Sequence, residues 1–478
     1  MGAGLHHGRE TASAEFLFHV LRVMGARGSA WQDGVRILHA PEDLDAAAAA
    51  FVAGGGMLVA VCPGAPFLAA VGLAVDALEA AGATFQLPGV AGVRLRSLHG
   101  SLRFHPPAGS EVVLRDEAGR AAWVLIPSGA GATLVTGTDI GADILRYRQG
   151  DPAAADARPT EAMWDIAGER PVYLFEQQLR GLSRFEERQA DWWSDFAVKV
   201  LSRHPGLSRE PLLPGGAPGA IVITGDDDQA ELAKYEEQLG LLGGQPITYF
   251  LHPLTRHDRA SMARLFDGRQ VELGLHPDAL EHPDRYSRLL KEQAAWFVRL
   301  TGRRAVSVRN HGYLNDGYWG HLAAWSREGL RISSNLPGVD GRPLNGSFLP
   351  ARLQKGGALT AHWSVVTAIG DGVRYVQGGR SDEAAAACIH ECARTIRESG
   401  IPGVMVLNLH PQNVADTQAM HRACLEVIQS GFLPWTMEEC ARWFESWEPS
   451  RRSHETGVLR RTWDALVGRR RARAMERS

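Results

Sequence analysis

The sequence predicts a two-part α/β protein whose second part is a parallel β/α barrel with a polar site at one rim. An apolar strand at 221–228 ends in three consecutive acids, and apolar runs at 271–276, 306–311 and 404–410 each end in a histidine. Parallel barrel strands bring their carboxyl ends together at one rim, so we expect these polar side chains to meet there. The length of 478 residues exceeds that of one typical domain, which favours two.

The acidic run is the strongest sign of a functional site. Asp226, Asp227 and Asp228 are adjacent where a buried strand ends. Unless water screens it, the repulsion among three carboxylates must be relieved by a cation, a basic side chain or a bound proton. Aspartate with several histidines is a ligand set suited to zinc or a similar divalent ion. For Asp228 we expect either an N-cap of the following helix or a metal contact, and the cap is favoured.

Four short motifs occur in a characteristic order: TGDDD, GLHP, VRNHGY and LNLHP. In this order they resemble the polysaccharide deacetylase family with the NodB-type fold (carbohydrate esterase family 4), over roughly residues 216–445. The resemblance implies an irregular seven-stranded β/α barrel. It also implies metal-dependent removal of N- or O-acetyl groups, with an acetylated glycan as the substrate.

The resemblance also implies roles for individual residues. Asp226 matches the catalytic base, and Arg309 the arginine that orients this base. Asp227 and His276 match metal ligands, and His410 matches the histidine that acts as general acid.

The sequence departs from the family at two ligand positions. The second motif usually has two histidines four residues apart, whereas the next histidine after His276 is His282, six residues on. The third motif usually reads Arg-x-Pro-Tyr, whereas this chain has His311 two residues after Arg309. We take His311 as the replacement metal ligand, because it lies at a strand end, and His282 as the reserve candidate. The fourth motif has no visible counterpart in residues 330–335.

Three functions are compatible with these motifs. The first is a metal-dependent carbohydrate deacetylase. The second keeps the barrel and the metal but hydrolyses another C–N or C–O bond, or cleaves a glycan. The third is a catalytically silent glycan-binding protein on the same barrel, which the missing fourth motif favours. The pairing of Asp226 and Asp227 with His410 favours the deacetylase, because a binding module has no use for a general acid opposite a base.

For residues 1–150 the sequence predicts a separate α/β layer domain. Strands and helices alternate, and glycines separate them. The domain resembles the flavodoxin-like or class I glutamine amidotransferase-like fold. The predicted strands cover 34–39 and 57–61, and the predicted helices 41–51 and 66–81.

Cys62 follows the second of these strands, where an amidotransferase would carry its nucleophile. However, Pro63 has no backbone N–H to contribute to an oxyanion hole, and no His-x-Glu sequence follows in the domain. We therefore expect a packing cysteine, and a domain without a Cys-His-Glu triad that serves as a support or recognition module.

The other segments connect or follow the two domains. For residues 151–215 the sequence predicts a linker and an amphipathic helix within 176–203. The barrel is expected over 216–448. The basic end at 449–478 is expected to be a solvated tail, with contact to an acidic glycan, lipid or protein partner as the alternative.

Bulk composition excludes several classes of partner. Hydrophobic residues make up 45% and charged residues 22% of the chain, and the net charge is −3, so no general attraction to nucleic acid is expected. No apolar run is long enough for a membrane span. Five scattered cysteines argue against a disulfide framework. With no secretory signal visible, a cytoplasmic location is the default expectation, and the oligomeric state is left open.

Overall fold

The computed structural model describes residues 12–155, 171–175, 178, 180–315, 317–338, 340–376 and 378–447. Two large sheets organise this part of the chain, a mixed sheet in the N-terminal part and a parallel barrel in the C-terminal part. No helix within the described ranges has the length and apolar character needed to cross a membrane.

The N-terminal part is built on a seven-stranded sheet with helices packed against it. A separate pair, β4–β5, lies beside this sheet. The elements are α1 (Ala14–Val23), α2 (Ser29–Gly34), β1 (Val35–His39), α3 (Ala46–Ala53), β2 (Met57–Val61), α4 (Ala65–Ala70), β3 (Ala74–Glu79), β4 (Thr84–Gln86), β5 (Arg94–Arg96), β6 (Ser101–His105), β7 (Glu111–Arg115), β8 (Ala121–Ser128), β9 (Gly131–Thr136) and α5 (Ile140–Gln149).

This N-terminal sheet is parallel in one half and antiparallel in the other. Strands β1, β2 and β9 pair in parallel, whereas β8, β6 and β3 continue the sheet with antiparallel pairing. The predicted strands at 34–39 and 57–61 agree with β1 and β2. The predicted helix at 66–81 is wrong beyond Ala70: Gly72 adopts a positive φ of 72°, and 74–79 pair with β6 as an edge strand.

The C-terminal part alternates strands and helices. Helix α6 precedes it in the chain, and short 3₁₀ turns lie in several connections. The elements are α6 (Gln189–Leu201), β10 (Gly219–Asp227), α7 (Leu232–Leu241), β11 (Ile247–Leu251), α8 (Arg259–Phe266), β12 (Val271–Leu275), α9 (Tyr286–Thr301), β13 (Ser307–Val308), α10 (Leu322–Glu328), β14 (Ile332–Pro337), β15 (Ala351–Lys355), β16 (Ala358–Gly370), α11 (Asp382–Glu398), β17 (Gly403–Asn408), α12 (Gln418–Gln429), β18 (Leu433–Trp435) and α13 (Met437–Glu445).

Seven of these strands close into a parallel barrel. The order is β10-β11-β12-β13-β14-β16-β17, and β17 pairs again with β10. Strand β18 adds to β10 outside this circuit, and β15 forms an antiparallel pair with β16. Register shifts interrupt the pairing of β16 with both of its barrel neighbours. The predicted irregular seven-stranded β/α barrel is thus confirmed.

Helix α1 of the N-terminal part and the connecting helix α6 pack directly on the barrel. One continuous cluster of buried side chains contains residues of α1, α6, β10, β16 and α13. Buried His19 of α1 accepts a hydrogen bond at Nε2 from the backbone of Arg352 (2.9 Å). The buried carboxylate of Asp191 in α6 accepts from Ser347 Oγ (2.6 Å) and from the amide of Phe348 (3.1 Å). The two halves therefore share a core.

The connecting segment is only partly as predicted. Within the expected helix at 176–203, the regular helix α6 covers Gln189–Leu201. The basic end at 449–478 lies outside the described residues.

Candidate active site

The carboxyl ends of the barrel strands carry the polar residues that the sequence singles out. Asp226 and Asp227 end β10, His276 follows β12, Arg309 follows β13, and His410 lies two residues beyond β17. All five are predicted site residues, and ion pairs and hydrogen bonds at this rim bring four of them together: Asp226, His276, Arg309 and His410.

Asp226 is a buried carboxylate held on both oxygens. Arg309 Nη1 donates to Oδ1 (2.8 Å), and Asn408 Nδ2 donates to Oδ2 (2.7 Å). Arg309 is itself buried and also donates to Ser334 Oγ (2.9 Å) and Thr367 Oγ1 (3.2 Å), so its guanidinium has a fixed position. Burial acts to raise the pKa of Asp226, but the charge of Arg309, followed by His276 and His410, outweighs it and lowers that pKa. Asp226 is therefore ionised.

Three residues at this rim, here called the ligand group, could each offer one ligand atom to a metal ion: Asp228, His276 and His311. These atoms lie within 4.8 Å of one another. His276 Nδ1 lies 2.6 Å from the carbonyl oxygen of Arg309. Because a carbonyl only accepts, Nδ1 carries a proton, so in the neutral imidazole the lone pair is on Nε2. This Nε2 lies 3.5 Å from Asp228 Oδ1, and His311 Nε2 lies 3.9 Å from the same oxygen.

The electrostatics of this group suit a cation. Asp228 Oδ1 is buried and has no hydrogen-bond partner among the described residues. Burial opposes ionisation of Asp228, but contacts from His276, and then the charges of His410 and His311, hold its pKa well below the ordinary value. An unpartnered carboxylate oxygen between two imidazoles is a donor set that a divalent ion with nitrogen and oxygen ligands would satisfy.

His410 is paired with Asp371, the residue that follows β16. Its Nδ1 contacts Asp371 Oδ1, and its backbone amide donates to Asp371 Oδ2 (2.8 Å). Its Nε2 lies 3.8 Å from Asp226 Oδ2 and 3.5 Å from Asp228 Oδ2. Burial lowers the pKa of His410, but Asp371, Asp226 and Asp228 outweigh burial and raise that pKa to about 10. His410 is thus a protonated imidazole whose Nε2 faces the site.

Asp227 lies outside the ligand group. Its Oδ1 accepts a hydrogen bond from the hydroxyl of Tyr235 (2.6 Å), and its Oδ2 is buried without a partner. Successive residues of a strand point to opposite faces, so Asp226 and Asp228 share one face and Asp227 takes the other. The favoured expectation that Asp228 caps the next helix is wrong, because the N-cap position of α7 is Glu231.

The two alternative histidines have different places. His311 is half-buried and belongs to the ligand group. His282 is exposed at the start of a 3₁₀ turn and belongs to neither potential metal-ligand group of the described residues.

Sequence reasoning missed several rim residues. Asp371 carried no motif, although it stands directly after β16. Asn408 lay within LNLHP, but only its histidine was singled out. His252 directly follows a strand, β11, but none of the four motifs contains it. Asp278, two residues after His276, forms a second potential ligand group with His252 and His311.

Cys62 lies at a sharp turn between β2 and α4, with a positive φ of 46°. Its Sγ faces the carbonyl oxygen of Gly137 (3.6 Å), and the nearby His39 is bound to Asp139 (2.8 Å). Burial, and then the charges of Asp139 and Asp143, raise the pKa of the thiol well above its ordinary value. The elbow shape is present without an activated thiolate.

No protein-family model matches the sequence, and no curated protein matches it. Among solved structures, a candidate polysaccharide deacetylase from Mycobacterium smegmatis is 18% identical, with a TM-score of 0.39 over 49% of this chain and 92% of that chain. Peptidoglycan deacetylase PdaC from Bacillus subtilis is 13% identical, with a TM-score of 0.31 over 51% and 97%. A CE4 family pseudoenzyme from Bacillus anthracis is 11% identical, with a TM-score of 0.30 over 46% and 65%.

These matches lie in the C-terminal half of the chain. They give no support to the resemblance of the N-terminal half to amidotransferases. At such identities and scores, the assignment of an activity depends on the site itself.

Proposed function

We propose that this chain is a metal-dependent hydrolase that removes acetyl groups from carbohydrates. One observation carries the proposal: a carboxylate paired with an arginine and an imidazole paired with an aspartate face each other beside three potential metal-ligand atoms. Asp226 is the carboxylate and His410 the imidazole, with 3.8 Å between Oδ2 and Nε2. A base and an acid of opposite protonation state in one site are what acyl-group hydrolysis requires.

Asp228, His276 and His311 are the residues that would hold the ion. Two imidazole nitrogens and a carboxylate oxygen suit zinc and leave further coordination positions open. When bound there, a divalent ion supplies Lewis-acid polarisation of the substrate carbonyl. In this assignment Asp228 takes the ligand role that the resemblance gave to Asp227.

The protein's own groups move the protons. Asp226, kept ionised by Arg309, accepts a proton from the attacking water, whose oxygen bonds to the acyl carbon. The C–N or C–O bond then breaks, and His410 gives its Nε2 proton to the departing amine or alkoxide. Asp371 holds the imidazole in the orientation that presents this proton. The products are acetate and the deacetylated substrate, with the catalyst returned after proton exchange with water.

The carbohydrate part of the proposal has separate support. The motif order resembles polysaccharide deacetylases, and two of the structural neighbours described above are named as a polysaccharide deacetylase and a peptidoglycan deacetylase. Asp228 and His311 are each 32% exposed, so the ligand group is reachable from solvent.

The test is acetate release from N-acetylated and O-acetylated oligosaccharides by the purified protein, after metal removal and after reloading with zinc or cobalt. We expect release only from the loaded protein, and none from Asp226→Asn, which should still bind metal. His282→Ala is the matched control, because this exposed histidine lies outside the ligand group, and it should keep both metal and activity. Glycan binding without acetate release by the loaded protein would instead identify a binding protein.

A further inference from the structure

A buried histidine and a half-buried aspartate lie beside His311, outside the base–acid pair. His252 Nδ1 accepts a hydrogen bond from the backbone amide of Leu254 (3.1 Å). An accepting Nδ1 leaves the ring proton of the neutral imidazole on Nε2. This Nε2 lies 3.2 Å from Asp278 Oδ2, so His252 donates to the aspartate.

Asp278 is held firmly by its surroundings. Its backbone amide donates to Gln293 Oε1 (2.9 Å), and Gln293 Nε2 donates to its carbonyl oxygen (2.7 Å), which ties the segment to α9. Its Oδ1 accepts from the amide of Leu280 (3.1 Å). A carboxylate fixed in this way can fix a neighbour in turn.

His311 is that neighbour. Its Nδ1 is buried without a hydrogen-bond partner among the described residues and lies 3.4 Å from Asp278 Oδ1. A buried N–H without a partner is unfavourable, and a small approach of the two groups would form the missing hydrogen bond. The opposite ring nitrogen, Nε2, faces Asp228.

We propose that Asp278, oriented by His252, is a positioning residue for His311. It accepts a hydrogen bond from the Nδ1–H group of His311 and thereby directs the Nε2 lone pair towards the ion held with Asp228 and His276. Carboxylates fix the tautomer and orientation of metal-binding histidines in this manner. The inference rests on the proposed function for the place of the ion.

The same three side chains could instead be read as a second metal site, since their ligand atoms lie within 4.8 Å of one another. The geometry favours positioning over a second ion. For His311 to serve both groups, both of its ring nitrogens would have to lose their protons, which a neutral imidazole does not do.

The experiment titrates metal-free protein with Co²⁺, following heat release and the visible absorption of the bound ion. For Asp278→Asn we expect about 10- to 100-fold weaker binding, one ion per chain as in the unchanged protein, and an altered cobalt spectrum. The asparagine oxygen can still accept the Leu280 amide, so the urea midpoint of the metal-free variant should be unchanged. Asp284→Asn, an exposed aspartate on the same segment, is the control and should bind Co²⁺ like the unchanged protein.

Each other result counts against part of the scheme. Unchanged affinity and spectrum in Asp278→Asn would overturn the positioning role. Two ions in the unchanged protein and one in the variant would overturn it in favour of a second metal site. No ion at all in the unchanged protein would overturn both the inference and the proposed function. Weaker binding by the variant, with no acetate release by the loaded unchanged protein, would support the positioning role and reject the deacetylase.

Discussion

Replacing Arg309 with methionine should destabilise the metal-free barrel by about 4 kcal/mol, because breaking the buried ion pair removes the principal counter-charge of the Asp226 carboxylate. Arg309 and Asp226 are both buried, and 2.8 Å separates their paired atoms. In Arg309→Met, the Asp226 carboxylate keeps only its hydrogen bond from Asn408.

The reciprocal change is milder. Asp226→Asn keeps an oxygen and removes the charge, while Arg309 retains its bonds to Ser334 and Thr367. Because the bond from Arg309 then goes to a neutral oxygen, we expect the free energy of unfolding to fall by about 2 kcal/mol. The double variant has neither charge, so we expect its free energy of unfolding to fall by about 4 kcal/mol. The sum of the two single effects is about 6 kcal/mol, and the difference is a coupling of about 2 kcal/mol.

The assay is urea unfolding of the four proteins in the presence of a chelator, with the free energy taken from each midpoint and slope. A parallel cycle on the exposed pair Arg288–Glu292 should show no measurable coupling, since water screens it. If the effects of the two single changes simply added in the double variant, with the same dependence of unfolding free energy on urea concentration in all four proteins, the claim that Arg309 compensates the Asp226 charge would be refuted.

Three further outcomes can be measured on single variants. His410→Ala should lower acetate release by about two to four decades, with a smaller deficit for an activated aryl ester whose leaving group needs no proton; full activity would remove it as the acid. Asp228→Ala should lose bound metal by elemental analysis, whereas Asp227→Ala should retain it; the reverse result would restore the assignment from sequence. Burial lowers the pKa of His321 from 6.5 to about 4, so its neutral form stabilises the fold above about pH 6.5 and that contribution is lost as the pH falls towards 4. The free energy of unfolding, measured with urea, should therefore fall less between pH 7 and pH 4 in His321→Gln than in the unchanged protein, by on the order of 3 kcal/mol. An equal fall in the two proteins would refute this.

The barrel and most of its rim could be predicted from sequence because strand ends converge in a parallel barrel. The position of Asp226 beside Arg309 and His410 follows from that rule. The sequence could not show whether Asp227 or Asp228 lies beside His276. Successive residues point to opposite faces of a strand, so a shift of one residue along β10 would exchange the two. Asp371 was missed because it follows a long strand, β16, whose end no motif marks.

The N-terminal half was harder for a different reason. Residues 74–79 contain two alanines, a leucine and a glutamate, which favour a helix locally, yet pairing with β6 overrides that preference. Nothing within a short window of sequence shows that the sheet changes from parallel to antiparallel after β9. Such pairings depend on residues that are distant in the chain.

The shared core has a consequence for synthesis on the ribosome. Ser13, at the start of α1, hydrogen-bonds Gln354 through side chains (2.9 Å), across 341 residues of sequence. At about 5 to 20 residues per second, the partner surface of α1 is completed roughly 20 to 70 s after the helix itself. Throughout this interval the apolar face formed by Phe16, Leu17 and Val20 has no barrel to cover it. The N-terminal part of the nascent chain therefore cannot complete its core until the last barrel elements have been synthesised.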